Sequence, residues 1–438
     1  MIRTRAALIS LAYLAALGLY ILAGAPLVPF HGDEATQIYM SRDYAYQFLD
    51  RDLSRVTYSD PPLSEQEQFL RLINGSVNKY LIGAAWHAAG FSVADLNEQW
   101  DWGASWDYNQ QTNHAPSDAL LRAARWPSAL LLALGLIPLF VLGKLLGGDP
   151  TAYLVTLYYA LNPTLLLNGR RAMMEGGMIA FTLLALLAAI WLLRRRTWPA
   201  ALGFGAAAGL ALASKHTALF VVLPVGVGCA LGLLIAGSRR GHLTRAVGLL
   251  LAAALTAALV FLGLNPVWWG DLIARAGEIL AEREALLVGQ TSFFGGYASA
   301  ADALAGFVRQ VLIGSPQYFE VAGWEVYLAD QIAAYEASPW AGVQIGAGGW
   351  AVLMLALIGA AELVRARGSR PEVRGIIGLW ALAALLSALL LTPLEWGRYY
   401  LPALPVVGLL AAFGLTRLFS WVTDRQRPWR AGAGPSSR

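Results

Sequence analysis

Leu249-Leu-Leu-Ala-Ala-Ala-Leu-Thr-Ala-Ala-Leu-Val-Phe-Leu-Gly-Leu264 carries one hydroxyl and no charge, and it is apolar on every face of a helix. A barrel strand alternates polarity over about ten residues, so this run reads as a helix in contact with hydrocarbon, not as a strand. Runs approaching the roughly 20 residues that cross about 30 Å of bilayer recur along the chain. They fall near Ala6–Leu22, Pro127–Leu146, Ala152–Leu167, Met178–Leu193, Pro199–Ala213, Leu219–Ala236, Val247–Leu264, Trp350–Val364, Ile376–Leu391 and Tyr400–Trp421. With 438 residues, 57% hydrophobic and 14% charged, the chain has too little polar surface for a soluble globule of its size. The fold class is all-α and polytopic, with about 10 transmembrane helices.

Alternate connections should collect Lys and Arg if these ten spans are correct. One set holds Arg3, Arg5, Lys144, Arg194-Arg195-Arg196, Arg239, Arg240, Arg245, Arg365, Arg367, Arg370, Arg374, Arg417, Arg425, Arg427 and Arg430. That side reads as cytoplasmic and contains both termini. The net charge of +4 is dispersed through these short loops, which marks topology rather than nucleic-acid binding. Arg3 and Arg5 before the first run, with Ala23-Gly24-Ala25 after it, resemble a secretory signal, but no convincing cleavage site follows. The lone Cys229 lies in an apolar run and forms no intramolecular disulfide.

The opposite set faces outward: Ala23–Trp126, Asn168–Gly177, Ser214–Thr217, Asn265–Gly349 and Thr392–Tyr399. Val77–Phe91 is apolar but about 15 residues long, and counting it as a crossing would move every later Arg cluster outside. It reads as an interfacial helix of the first outward loop. Trp100, Trp102, Trp106 and Tyr108 fit a membrane-surface aromatic belt or, alternatively, sugar stacking. Asn265–Gly349 contains a helical stretch, Leu272–Leu287, among Gly and aromatic clusters, and reads as a folded lid. The organisation is a membrane module over 1–264, an outward lid-like region over 265–349, C-terminal spans over 350–421 and a basic tail over 422–438, disordered from Ala431.

Val28-Pro-Phe-His31-Gly-Asp33-Glu34 places two adjacent acids where the first span leaves the bilayer. Gly32-Asp33 also has the character of a helix N-cap ahead of Ala35–Leu49, and capping explains one acid. Two acids facing a cationic cluster fit general-base chemistry. The cations left on the outward side, Arg170, Arg171, Lys215, His216 and Arg398, stand at span ends, where charge is costly unless paired or hydrated. They line a polar anion site, or they snorkel and pair with Glu175 or Glu395. His31, His216 and the carboxylates form no compact metal-ligand motif, so a divalent metal is permitted but unsupported.

Several stretches together resemble the GT-C membrane glycosyltransferases of the protein O-mannosyltransferase and aminoarabinose-transferase-like group, glycosyltransferase family 39-like. They are Asp33-Glu34, Arg125-Trp-Pro-Ser-Ala-Leu-Leu, Gly169-Arg170-Arg171-Ala-Met-Met-Glu175, Gly209-Leu-Ala-Leu-Ala-Ser-Lys215-His216-Thr217 and Arg398-Tyr-Tyr-Leu-Pro-Ala-Leu-Pro. The resemblance implies a GT-C fold and transfer of a sugar from a polyprenyl monophosphate donor to an acceptor hydroxyl outside the cytoplasm; direct attack of that hydroxyl on the anomeric carbon would invert it, and a monophosphate leaving group facing several fixed positive charges requires no metal or other cofactor by charge alone. It further implies that Asp33 is the essential acid, with Glu34 beside it and Glu175 as the acid of the next outward turn. Arg170, Arg171, Lys215, His216 and Arg398 become candidates for the donor phosphate, and Lys79 and Tyr399 for acceptor or sugar contacts. Where protein O-mannosyltransferases typically carry His-Pro-Pro-Leu-Gly-Lys, this chain reads Asn74-Gly-Ser-Val-Asn78-Lys79, keeping only the Lys. A bacterial-type plasma membrane fits a chain without appended domains. A transporter or flippase for an anionic lipid-linked sugar is the alternative, though no inverted repeat is visible.

Overall fold

In the computed structural model, which describes residues 2–239, 241–321, 323–365 and 370–425, all ten apolar runs are helical. Arg240, Arg367, Arg427, Arg430 and the tail from Ala431 lie outside the described residues. Among the described residues eight helices are long and apolar enough to cross a membrane, against the ten expected. Trp198–Ser214 is apolar but only 17 residues long. The expected span Ala152–Leu167 is two helices, Asp149–Leu161 and Pro163–Arg170. The break has a local cause. Pro163 has no N–H to continue the ladder, and Asn162 caps the second piece by accepting from the Leu165 amide at 3.0 Å.

Small residues set the closest helix contacts. A Cβ on Gly359 would strike the Leu410 carbonyl, and one on Gly414 would strike the Leu355 carbonyl, so the helices Gly349–Arg365 and Leu404–Arg425 meet backbone to backbone. Van der Waals contact of this kind is what holds helices together in lipid. Gly414→Val is therefore expected to force the pair apart and to lower stability by about 1–3 kcal/mol, read as a lower unfolding midpoint in detergent.

The helix Glu175–Arg195 fixes the two ends of the bundle. Its 21 residues at about 1.5 Å each separate Glu175 from Arg194 by about 30 Å. At the Arg194 end, Arg194 pairs with Glu372 at 2.6 Å, Arg245 reaches the Arg196 carbonyl and Arg370 reaches the Leu145 carbonyl. The basic connections therefore share one end of the molecule.

At the other end, the two long segments 23–126 and 265–349 are built into each other. Phe30, Trp86, Trp100, Trp106 and Leu120 form one apolar core with Phe319 and Leu328. The later segment is thus partly an integral wall, not simply a lid. Trp100 and Trp106 are buried in that core, which corrects their reading as belt anchors. Trp102 is partly exposed and stacks on Trp324 with centroids 5.9 Å apart. Val77–Ala88 is a 12-residue helix with Val77, Tyr80, Ile82 and Trp86 buried, too short to cross hydrocarbon. By contrast, the helix Leu272–Phe294 buries only Ile279, against Leu72 and Val267.

Candidate active site

The chain leaves the first helix, Ile2–Ala23, and turns at Pro26 and Pro29 into an extended His31 that starts the helix Gly32–Met40. His31 is the N-cap. Its Nδ1 accepts from the Asp33 amide at 3.1 Å while Glu34 accepts from the His31 amide at 3.2 Å, a reciprocal capping box. The expected cap at Gly32-Asp33 is thus displaced by one residue. Gly32 is needed because a Cβ there would enter the Trp100 indole.

This start separates the two acids. Glu34 points inward and is fully buried, receiving Arg125 Nε and Nη2 at 2.7 Å each and the Ala172 amide at 2.8 Å. Burial alone would raise its pKa, but Arg125, Arg171 and the Ala172 amide hold it below the usual glutamate value. Asp33 points outward, about a quarter exposed, and its carboxylate pairs with Arg398.

Arg398 is presented by the turn Gly397–Tyr400, which is tied down where the Gly397 amide donates to Gln317 at 2.9 Å. Its Nε also lies 3.2 Å from Glu320. Glu320 in turn accepts from His31 Nε2 at 2.5 Å. Since His31 Nδ1 is an acceptor, the ring is neutral with its proton on Nε2, and burial together with Arg171 and Arg398 keeps its pKa well below the ordinary value.

Lys215 follows the helix Trp198–Ser214, whose end is anchored by the Ser76 amide donating to Ala213 at 2.7 Å. Its Nζ meets Glu175, at the N-terminus of its own helix, at 2.6 Å, and the second Glu175 oxygen has no hydrogen-bond partner among the described residues.

Asp33, Glu175, Lys215, Arg398 and Tyr399 all line one cavity of about 590 Å³. Two residues that the sequence reading passed over line it too: Glu320 and Arg283. Trp102, Trp324, Trp396, Phe293 and Phe294 supply aromatic wall.

The remaining candidates are elsewhere. Arg170 is fully buried, donating to the carbonyls of Ile21, Tyr20 and Trp340 and to the Tyr335 hydroxyl. Arg171 donates to the carbonyls of Pro29 and Tyr318. Both guanidinium groups knit the first helix, the Pro29 turn and the segment 318–340 together and do not line the cavity. The His216 ring packs near Phe261 and Trp268, with centroids 6.1 Å and 6.2 Å away. Lys79 is buried against Asp43 at 2.6 Å, beside Arg71. Among the described residues no group of three or more His, Cys, Asp or Glu is placed to hold a metal ion.

Glu320 makes a test of the site's electrostatics. Burial pushes its pKa up from 4.5 to about 7, against the pull of Arg171. Across that window the folded protein keeps a proton the unfolded chain has lost, so stability must fall as pH rises, by on the order of 3 kcal/mol. Unfolding midpoints measured between about pH 5 and pH 8 are expected to show this decline in the wild type and to lose it in Glu320→Gln.

A polytopic bundle, helical and without strands among the described residues, with its polar cavity under the interlocked segments 23–126 and 265–349, has the GT-C fold. The crystal structure of the Archaeoglobus fulgidus oligosaccharyltransferase solved with zinc and sulfate superimposes with a TM-score of 0.53, at 13% identity, over 94% of this chain and 50% of that one. Its apo form gives 0.50, at 14% identity, over 98% and 52%. ArnT from Cupriavidus metallidurans bound to undecaprenyl phosphate gives 0.48, at 16% identity, over 95% and 62%, too loose a likeness to argue from. The chain spans about half the length of the oligosaccharyltransferase. Residues 71–269, a little under half of the chain, match the model of the family described as Dolichyl-phosphate-mannose-protein mannosyltransferase. No curated protein matches the sequence.

Proposed function

We propose that the chain is a membrane glycosyltransferase that moves a sugar from a polyprenyl monophosphate donor to an acceptor hydroxyl on the extracytoplasmic face. The observation that carries this reading is the cavity in which Asp33, Glu175, Lys215 and Arg398 meet, although they come from four separate outward segments. The family description of the matched segment names a dolichyl-phosphate-mannose donor and supports the same chemistry.

Asp33 is the base in this scheme because it is the acid of its pair that reaches the cavity, while Glu34 is sealed by Arg125. The acceptor oxygen attacks the anomeric carbon as its proton passes to the Asp33 carboxylate. The carbon–oxygen bond to phosphate breaks with its electron pair leaving on the phosphate, and the configuration inverts. Lys215 and Arg398 offset the charge that develops on the departing group. Glu175 orients Lys215. Donor phosphate competes with Asp33 for Arg398, so binding the donor frees the base. Glu34, Arg170, Arg171, His216 and Lys79 shape the site from outside it, and Tyr399 faces the acceptor or sugar. No step requires a metal, because the leaving monophosphate already faces fixed positive charge.

A flippase would also use a cationic cavity, and proteoliposomes separate the two. With a labelled polyprenyl-phosphate sugar and an alcohol acceptor present, an enzyme yields free polyprenyl phosphate. Movement of intact donor between leaflets without cleavage would defeat the proposal.

A further inference from the structure

A second cavity, of about 470 Å³, lies at the end of the bundle opposite Asp33, the end that carries the basic connections. Four candidate spans end around it: Asp118–Gly147, Gly346–Arg365, Pro371–Leu390 and Leu404–Thr423. Leu145, Val373 and Phe413 give it apolar wall, and Arg370, Arg374 and Arg417 line it beside them. Glu362 is its one acid among the described residues, so three cations face a single carboxylate.

Hydrogen bonds among the described residues leave much of the three guanidinium groups open. Arg370 donates from Nη1 to the Leu145 carbonyl at 2.9 Å. Arg374 donates from Nε and Nη2 to the carbonyls of Leu363 and Val364. Arg417 reaches the buried Glu362 through Nε at 3.4 Å, long for a charge-assisted bond. A guanidinium carries five N–H donors, so each keeps several for another acceptor, and a carbonyl leaves the positive charge itself unmatched. Topology accounts for cations gathering at this end, as it does for Arg194 and Arg245. It does not account for three of them lining one cavity between helix ends, where like charges repel unless an anion sits among them.

The surroundings indicate which anion. Span ends lie at headgroup depth. On the helices that supply Glu362 and Arg417, and within two residues of them, Val364 is 80% exposed and Phe419 63%. That is apolar surface for acyl chains at the level of the guanidinium groups, which a soluble phosphate would not use.

We infer that this cavity binds the phosphate headgroup of an anionic phospholipid. Arg370 and Arg374 meet the phosphate oxygens, and Glu362 holds Arg417 toward them. Basic pockets between membrane helices are suited to such headgroups, and one carrying two phosphates matches the two cations left over by Glu362. The bound lipid ties the helices Gly349–Arg365, Pro371–Leu390 and Leu404–Arg425 together at this end. The site is separate from the cavity at Asp33 and does not depend on what that cavity does.

The test adds cardiolipin to the full chain in neutral detergent and reads both binding, by native mass spectrometry, and the unfolding midpoint. Cardiolipin is expected to bind and to raise the wild-type midpoint, and phosphatidylcholine to leave it unchanged. Arg370→Gln is the decisive variant, because its amide can still meet the Leu145 carbonyl. It is expected to weaken cardiolipin binding by about fivefold, on the scale of one basic residue at an anionic headgroup. Arg374→Gln is expected to weaken it by at least as much. Arg245→Gln removes a cation from the same end but outside the cavity and is expected to bind as the wild type does. Wild-type affinity in both Arg370→Gln and Arg374→Gln overturns the site, and an equal loss in Arg245→Gln overturns it in favour of general basic charge. Inorganic phosphate that displaces cardiolipin and raises the midpoint as far overturns the lipid assignment in favour of a soluble phosphate.

Discussion

Asp33→Asn is expected to reduce sugar transfer by a factor of about 10² to 10⁴ without unfolding the protein, the range typical for loss of a general base. The substitution is nearly isosteric, and the carboxylate is about a quarter exposed, so little packing depends on it. The capping box at the start of Gly32–Met40 is made by His31 and Glu34, not by the Asp33 side chain, and survives the change. Loss of activity with an unchanged unfolding midpoint and donor binding as tight as the wild type's or tighter, since Asp33 no longer competes for Arg398, separates a missing base from a damaged site. Near-normal transfer by Asp33→Asn would remove Asp33 from the chemistry.

The opposite pattern is expected one residue along. Arg125→Ala leaves Glu34 fully buried without its ion-pair partner, and breaking a buried pair in this way typically costs about 3–5 kcal/mol. Glu34 also holds the Ala172 amide and closes the cap at His31, so its displacement disturbs both the Arg171–Glu175 turn and the start of the Asp33 helix. Poor membrane abundance and a much lower unfolding midpoint are the expected readouts, with donor binding lost only as a consequence. A stable Arg125→Ala protein lacking transfer alone would instead argue that Glu34 takes part in the reaction.

The two acids show what the sequence conveyed and where it stopped. Adjacent residues at the start of a helix point about 100° apart. One faces the cavity and the other the core, but which is which depends on Arg125, distant in the chain. Ser, Thr, Asp and Asn are the usual N-caps, so a histidine cap gave no warning of the one-residue shift. The apolar runs were readable because hydrocarbon imposes composition directly, and Asn162-Pro163 carried a usable break signal inside the third of them. Arg170 and Arg171 stood out as outward cations, but the carbonyls that engage them belong to Tyr20, Ile21, Pro29, Tyr318 and Trp340, which only tertiary structure brings near. Glu320 and Arg283 lie in a segment without spanning periodicity and match no motif. Their meaning arises from the cavity they share with Asp33, Glu175, Lys215 and Arg398.

The measurement closest to the central claim is release of polyprenyl phosphate by the purified chain, followed with a panel of polyprenyl monophosphate sugars in the presence of simple alcohols. The account predicts release from at least one donor, an inverted product and its loss in Asp33→Asn. Folded wild-type protein that binds a donor from the panel yet releases no polyprenyl phosphate in the presence of acceptor would contradict it.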